Sequence, residues 1–170
     1  MSLCHVWNDR ADRLSILRRP TAMLYDSDMQ RIEDLKPLMH RWFDQVWNAK
    51  NADALDELLS PNCRAHGIQS GRVLMGPGEF REFHAGFCQA FPDLKFTVED
   101  FLQDGNKTAV RFSASGTYAG GLPGNGLAGN KISLTGQSIC HWENGQIIEG
   151  WNNYDELQVL AQIGAVALPE

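Results

Sequence analysis

Apolar side chains recur at three- and four-residue steps along several stretches of the chain, and this spacing predicts amphipathic helices. The first stretch covers residues 31–50, with Pro37 either in its first turn or splitting it in two. The polar residues that follow break the pattern, and Asp53 is expected to cap a short helix that extends to Leu59. The N-terminal part of the domain is therefore predicted to be helical.

Two further helices are predicted later in the chain. One follows the Gly-Pro-Gly run at 76–78 and ends before Pro92. The other covers residues 157–163 and stops at Gly164. The stripe on the first of these two helices is aromatic, and it consists of Phe80, Phe83, His84, Phe87 and Phe91.

Strand-like segments occupy most of the second half of the chain. They cover residues 94–103, 107–118, 131–142 and 146–154. Short glycine-containing connections at 104–106 and 143–145 suit hairpins, 60–62 indicates a turn, and 63–66 reads as a short strand. Helices followed by a meander predict an α+β domain, in which a strongly curved antiparallel sheet and its helices enclose an apolar pocket.

Length and charge narrow the classes of partner. The chain has 170 residues and is divided into an N-terminal extension, 1–30, and a single domain, 31–170. Its formal charge of −6 argues against binding to nucleic acid or to an anionic membrane, both of which need clustered Lys and Arg. With no membrane segment and no signal peptide in the sequence, a cytoplasmic location is expected. The scattered cysteines are then expected to be reduced thiols, at Cys4, Cys63, Cys88 and Cys140.

A glycine-rich segment, 119–130, contains the letters of a GxGxxG motif. A dinucleotide fold needs a helix N-terminus after that motif to hold the pyrophosphate, whereas a strand is predicted here. The segment is therefore interpreted as a loop between two strands.

Asp155 is the first candidate for chemistry, because it stands where the last strand gives way to the last helix. Trp151 and Asn153 precede Asp155 at the same parity. If the Trp151 indole lies beside the Asp155 carboxylate at the mouth of a cavity, the carboxylate would act as a general acid/base. The alternative is structural: Asp155 also fits an N-cap, with Gln158 at the third helical position.

His141 is the second candidate, since a histidine on the neighbouring strand could orient or share a proton with a carboxylate. Because side chains alternate along its strand, Thr135, Gln137, Ile139 and His141 lie on one face. The glycines at 136 and 150 leave the choice of inner and outer face open by one residue. His66, at the end of the short strand, is a third polar candidate, and no spacing of His, Asp or Glu indicates a metal site.

Three segments of the chain resemble the SnoaL-like polyketide cyclases. Residues 90–100 match their FPD segment, 110–120 match the end of a strand with a Gly-Thr pair, and 145–164 match a terminal segment in which Trp and Asp are four residues apart. The resemblance covers about residues 31–164. It implies the cone-shaped fold of the nuclear-transport-factor-2-like superfamily, usually as a homodimer.

The resemblance also implies roles for individual residues. Asp155 would be the general acid/base of an intramolecular aldol closure, and His141, fourteen residues earlier, would hydrogen-bond the substrate oxygen that gains charge. The substrate would be a small, mostly apolar molecule with a carbonyl group, and neither cofactor nor metal is required. Tyr118 stands where many members have His, and Ile139 where the cyclases carry Gln. The substrate-binding candidates are then His66, Trp42, Phe83, Phe87, Tyr118, Ile139 and Trp151.

Two classes of function stay open at this level. One is a cyclase-type enzyme, including isomerase, dehydratase or hydrolase variants that share one pocket carboxylate. The other is a non-catalytic module for small-molecule binding or dimerisation on the same fold. The environment and role of Asp155 distinguish them.

Overall fold

A computed structural model describes residues 34–69, 71–122 and 126–167 of the chain. The predicted N-terminal extension, 1–30, lies outside these residues. The described helices are α1 (Lys36–Arg41), which continues as a π-helical segment (Trp42–Asn48), α2 (Asp53–Leu58), α3 (Gly76–Ala90) and α4 (Glu156–Gln162). The described strands are β1 (Leu59–Gln69), β2 (Arg72–Met75), β3 (Lys95–Asp104), β4 (Lys107–Thr117), β5 (Lys131–Glu143) and β6 (Gln146–Tyr154).

The strands form one curved, unclosed sheet in the order β2-β1-β6-β5-β4-β3. All neighbours are antiparallel except β1 and β6, which run parallel. Register shifts, each of which bends the sheet, occur between Val98 and Asp100 and between His141 and Trp142. The predicted α+β class, with helices packed against a curved sheet, is confirmed, and the long predicted strands match β3 to β6 to within about two residues.

Two local predictions are wrong. Residues 60–62 are not a turn but part of β1, and Pro61 is tolerated there because the pairing of β1 with β6 is irregular between Leu59 and Arg64. Asp53 does not cap α2: it is the first helical residue, and its backbone N–H donates to Asn51 Oδ1 at 3.1 Å. Pro37 lies in the first turn of α1 and leaves the helix unbroken.

The π-helical segment and α3 pack against each other over one face of the sheet. Trp42, Phe43, Val46 and Trp47 are all buried on the segment. The imidazole of His84 on α3 donates from Nε2 to the backbone oxygen of Val46 at 2.7 Å, and burial lowers the pKa of His84. A neutral, buried histidine therefore joins the two helices at a fixed point.

Two of the segments that carry the family resemblance are linked to each other. The carboxylate of Asp93 accepts hydrogen bonds from the backbone N–H and the hydroxyl of Thr117, at 2.6 and 2.7 Å. The bond from the hydroxyl is the largest of the causes that hold the pKa of Asp93 below its ordinary range. A Cβ on Gly116 would lie 2.9 Å from Leu94 Cα, so the close approach requires glycine. Asp93, Gly116 and Thr117 of these segments therefore stabilise the fold.

No helix in the described part of the chain is long and apolar enough to span a bilayer. Cys63, Cys88 and Cys140 are free thiols, and Cys4 lies outside the described residues. Burial raises the pKa of all three thiols, that of Cys140 to about 11.

Candidate functional site

An apolar cavity lies between the sheet and the helices. The space inside it that is open to the centre of a water molecule is about 70 Å³, several times the roughly 10–15 Å³ that one water needs. Its wall is formed by Trp42, Phe43, Trp47, Leu59, Cys63, Arg64, Ala65, Ile68, Phe80, Phe83, Phe87, Phe112, Leu134, Ser138, Cys140, Ile147, Gly150, Asn152 and Tyr154.

The helical side of the cavity is aromatic. The ring of Trp42 meets Phe80 edge-on at 5.3 Å between centroids, and Trp47 meets Phe87 at 5.7 Å in the same way. Phe83 stacks on Phe87 at 5.6 Å. Such edge-on and offset ring pairs are the favoured geometries, so these rings form a rigid wall.

The alternation of side chains along β5 and β6 determines which residues of the sheet face the cavity. In β5 every even-numbered residue from 132 to 142 is buried, and every odd-numbered one from 131 to 139 is exposed. In β6 the inward positions are Ile147, Gly150, Asn152 and Tyr154. The change of parity after Ile147 coincides with the register shift that separates His141 from Trp142.

A connected polar group lies on this sheet floor. The hydroxyl of Ser138 donates to Asn152 Oδ1 at 2.8 Å, and the Sγ of Cys140 lies 3.5 Å from the same hydroxyl oxygen. The amide nitrogen of Asn152 donates to the backbone oxygen of His66 at 3.1 Å. That bond fixes which way the amide faces, and its second N–H has no acceptor among the described residues.

Tyr154 adds a hydroxyl to the same wall. Burial is the first cause that raises the pKa of Tyr154 to about 12, and the neighbouring charge of Glu156 is the second. The phenol is therefore a neutral hydrogen-bond donor at physiological pH. No partner for its hydroxyl is found among the described residues.

The structure divides the predicted substrate-binding residues between two faces of the sheet. Trp42, Phe83 and Phe87 line the cavity. His66, Ile139 and Trp151 are outside its lining, because they alternate with inward residues, and the Ile139 side chain is 48% exposed.

Tyr118 is also outside the cavity lining, although it is only 2% exposed. Its hydroxyl accepts a hydrogen bond from the backbone N–H of Leu122 at 3.0 Å, and its ring packs against Phe91. Tyr118 thus holds the start of the glycine-rich loop against the end of α3.

A polar cluster occupies the outward face of β1 and β6. Glu149 Oε1 lies 2.8 Å from both His66 Nε2 and Arg64 Nη2, and the hydrogen bond from His66 is the first cause that lowers the pKa of Glu149. The rings of His66 and His141 both pack on Trp151, at centroid distances of 5.2 and 4.8 Å. His141 is therefore grouped with His66 and Trp151.

The structure does not bring His141 and Asp155 together. Tyr154 is paired with Gly136, so Asp155 leaves the sheet five positions along β5 from His141, which is roughly 17 Å at about 3.3 Å per residue. The exposed Asp155 carboxylate accepts a hydrogen bond from the Gln158 backbone N–H at 2.9 Å. The predicted N-cap of the last helix is therefore confirmed.

A family model for the SnoaL-like polyketide cyclases matches residues 37–163. The chain belongs to this family. A search among curated protein sequences gave no significant match. The SnoaL-like resemblance of the three sequence segments is thus confirmed at the level of the family.

Solved structures of other proteins share the SnoaL-like fold. A protein assigned as a SnoaL-like polyketide cyclase from Jannaschia sp. CCS1 is 25% identical, with a TM-score of 0.67, over 77% of this chain and 92% of that one. TsrD from Streptomyces laurentii is 25% identical, with a TM-score of 0.69, over 78% and 96%. IdmH from Streptomyces antibioticus, assigned as a polyketide cyclase, has a TM-score of 0.68 at 23% identity over 78% and 99%, and supports the fold alone.

The polar groups inside this SnoaL-like cavity were not among the residues selected from the sequence. Ser138, Cys140, Asn152 and Tyr154 all lie at even positions. The pattern of β5 contained the signal, because its even positions carry Ile, Leu and Trp while its odd positions carry Lys, Ser and Gln. Among the described residues, no group of His, Cys, Asp and Glu is arranged to hold a metal ion.

Proposed function

We propose that this chain catalyses a cyclase- or isomerase-type reaction on a small, mostly apolar carbonyl compound held in the aromatic cavity. Membership of the SnoaL-like family supports this class of reaction. The observation that carries the proposal is the placement of Ser138, Asn152 and Tyr154 on the sheet side of a cavity whose other lining residues, apart from Arg64, are apolar or thiols. Such a wall orients a carbonyl oxygen while the rings hold the carbon skeleton.

The role proposed for Tyr154 and Asn152 is to bind the substrate oxygen. When a C–H bond next to a carbonyl is broken, negative charge moves to that oxygen, and preorganised donors in a dry site stabilise it. The Tyr154 O–H and the free N–H of Asn152 are neutral donors of this kind. Ser138 is a positioning residue, because its hydroxyl is engaged with the Asn152 amide.

The role proposed for Asp155 is the one that the family resemblance implies. Its carboxylate would take the C–H proton, and it would return a proton to the alkoxide formed by ring closure. Asp155 follows Tyr154 directly, at the end of β6, and capping occupies only one of its two oxygens. Asp155 lies outside the cavity lining, in a groove with Ser133, Thr135 and Gln158, so this role requires that the substrate reach the end of β6.

A second function, binding without chemistry, is favoured by a different observation. The described lining of the cavity contains neither a carboxylate nor an imidazole. Its acidic groups are Cys63, Cys140 and Tyr154, and burial raises the pKa of each, so none of them is a base at neutral pH. A carrier or sensor of apolar molecules would need no more than this.

The two functions are separated by incubating the protein with a panel of apolar β-dicarbonyl compounds and analysing the products by mass spectrometry. Turnover supports the enzyme, and recovery of bound ligands unchanged supports the binding module. Tyr154→Phe is expected to lower kcat by about 10²–10³ with little change in KM, as for the loss of one oxyanion donor. Trp151→Phe, on the outward face of the same strand, is the matched control and should keep full activity.

Asp155→Asn tests the proton-transfer role. Asparagine caps a helix about as well as aspartate, so the fold and the melting temperature should be retained. Loss of turnover with retained ligand binding would support Asp155 as the general acid/base. Full activity in this variant would remove Asp155 from the mechanism and leave the oxygen-binding groups in place.

A homodimer and a cytoplasmic location also remain proposals. Sedimentation velocity at micromolar concentration tests the first, and a monomer there would contradict it. Fractionation of the producing cells tests the second.

A further inference from the structure

Gly150 is a buried position on the cavity wall where a side chain would fit. It lies on the central strand β6, between Ala65 of β1 and Cys140 of β5. A Cβ built there would have its nearest neighbours at 3.7, 3.8 and 3.9 Å, on Cys140 Sγ, the Ile139 carbonyl oxygen and Asn152 Nδ2. These are ordinary van der Waals distances.

Gly136, an inward glycine of the neighbouring strand β5, is different. A Cβ there would lie 2.5 Å from the ring of Phe112 and 2.8 Å from the backbone oxygen of Asn153. Gly136 is therefore required for packing: the Phe112 ring fills the space above it. At Gly150, by contrast, no heavy atom of the described residues other than its two chain neighbours lies nearer than 3.7 Å to such a Cβ, and Gly150 lines the cavity.

The backbone gives no reason for glycine at 150 either. Gly150 is not among the described glycines with a left-handed backbone, so any residue can adopt its conformation. A glycine inside a strand also costs conformational entropy and contributes no packing. A position where glycine costs stability without serving the fold is expected to serve function.

We propose that Gly150 is a specificity-determining residue, whose missing side chain provides the space for the bulkiest part of the ligand. This inference rests on the proposed function, because it assumes that the cavity holds an apolar carbonyl compound. The neighbours Cys140 and Asn152 place that space directly beside the polar wall. The ligand therefore carries its widest portion next to the oxygen that the wall binds.

The test uses a size series of ligands and a size series of variants. The probes are acetophenone, 2-acetylnaphthalene and 2-acetylanthracene, which share one carbonyl and differ only in ring number. Binding to the wild type and to Gly150→Ala, Gly150→Val and Gly150→Leu is measured by calorimetry. Asn153→Leu introduces the same leucine side chain on the exposed, outward face of β6 and is the matched control.

Binding is expected to be lost in order of size. Gly150→Leu should weaken the binding of 2-acetylanthracene by about 10–100-fold and that of acetophenone much less. Asn153→Leu should change the binding of neither probe. Gly150→Ala should raise the melting temperature by about 1–4 °C, which covers the case in which larger variants do not fold. Equal loss for all three probes, no loss for any, or a lower melting temperature in Gly150→Ala would overturn the inference.

The proposed function and this inference fail in different ways. Size-dependent binding without turnover of any β-dicarbonyl compound would overturn the enzyme and leave the role of Gly150 intact. Turnover with an unchanged size limit in the Gly150 variants would overturn only the inference. A wild type that binds no probe would overturn both.

Discussion

The two faces of the sheet use the same strands for opposite purposes. The inward face carries aromatic and small polar side chains around a cavity, with Ser138, Asn152 and Tyr154 as its polar groups. The outward face carries charged and titratable groups that are already paired with one another, above all around Glu149. On the inward face the Tyr154 hydroxyl has no partner among the described residues, whereas Glu149 on the outward face pairs with both Arg64 and His66.

This difference shows that a candidate site residue in a sheet protein has to be assessed first by the face of the sheet on which it lies and only then by its residue type. His141 and Trp151 were selected from the sequence as candidates for the site, whereas Cys140 and Asn152 were not. Since alternate residues of a strand point to opposite faces, it is Cys140 and Asn152 that line the cavity. The perturbations below test how different the two faces are.

The largest effect is expected from removing a ring on the inward side. Trp47 packs edge-on or tilted against Phe80, Phe87 and Phe96, so Trp47→Ala should cost about 3–5 kcal/mol of unfolding free energy. Trp151→Ala on the outward face should cost clearly less in the same urea titration. Equal losses from the two variants would show that the faces do not differ in packing.

A smaller effect is expected from adding a methyl group where the inward face is already full. Gly136→Ala places a Cβ against Phe112, which is itself held by Phe43 and Phe96. The overpacking should cost about 1–3 kcal/mol in unfolding free energy. An unchanged urea midpoint would mean that the sheet yields freely at this point.

Removal of the N-cap on α4 should cost about 1 kcal/mol. Asp155→Ala leaves the Gln158 N–H without its acceptor, while Asp155→Asn keeps one. Thermal unfolding of the two variants separates the cap from the charge. Equal melting temperatures for Asp155→Ala and the wild type would deny the capping role.

The smallest effect is expected from the outward ion cluster, and it should disappear in acid. Because the folded pKa of Glu149 lies below its ordinary value of 4.5, its contribution to stability is full above that value. The contribution is lost as the pH falls through the lowered folded pKa. Glu149→Gln should therefore lower the unfolding free energy at pH 7, and the difference from the wild type should shrink as the pH falls below about 4.5, because the wild-type carboxylate is then protonated as well. A stability difference that is larger in acid than at neutral pH would contradict this assignment.

The order and type of the long elements could be predicted from the sequence, because hairpin connections and aromatic stripes are local signals. The course of β1 through Pro61 could not, since it depends on a parallel partner far away in the chain. At the site, the sequence did not predict which face of the sheet each side chain lies on. One extra residue in β6, beside His141, shifts the parity between Ile147 and Gly150, and no local pattern announces it.

The parallel pairing of β1 with β6 also has a consequence for how the chain acquires its fold during synthesis. Asn152 and the His66 carbonyl that it binds are 86 residues apart, so nearly the whole domain must leave the ribosome before β1 gains its second neighbour. Until then its unpaired edge is open to other chains, and closing so long a loop is slow. No N-terminal fragment that ends before β6 can contain the complete cavity, because Gly150, Asn152 and Tyr154 form part of its wall.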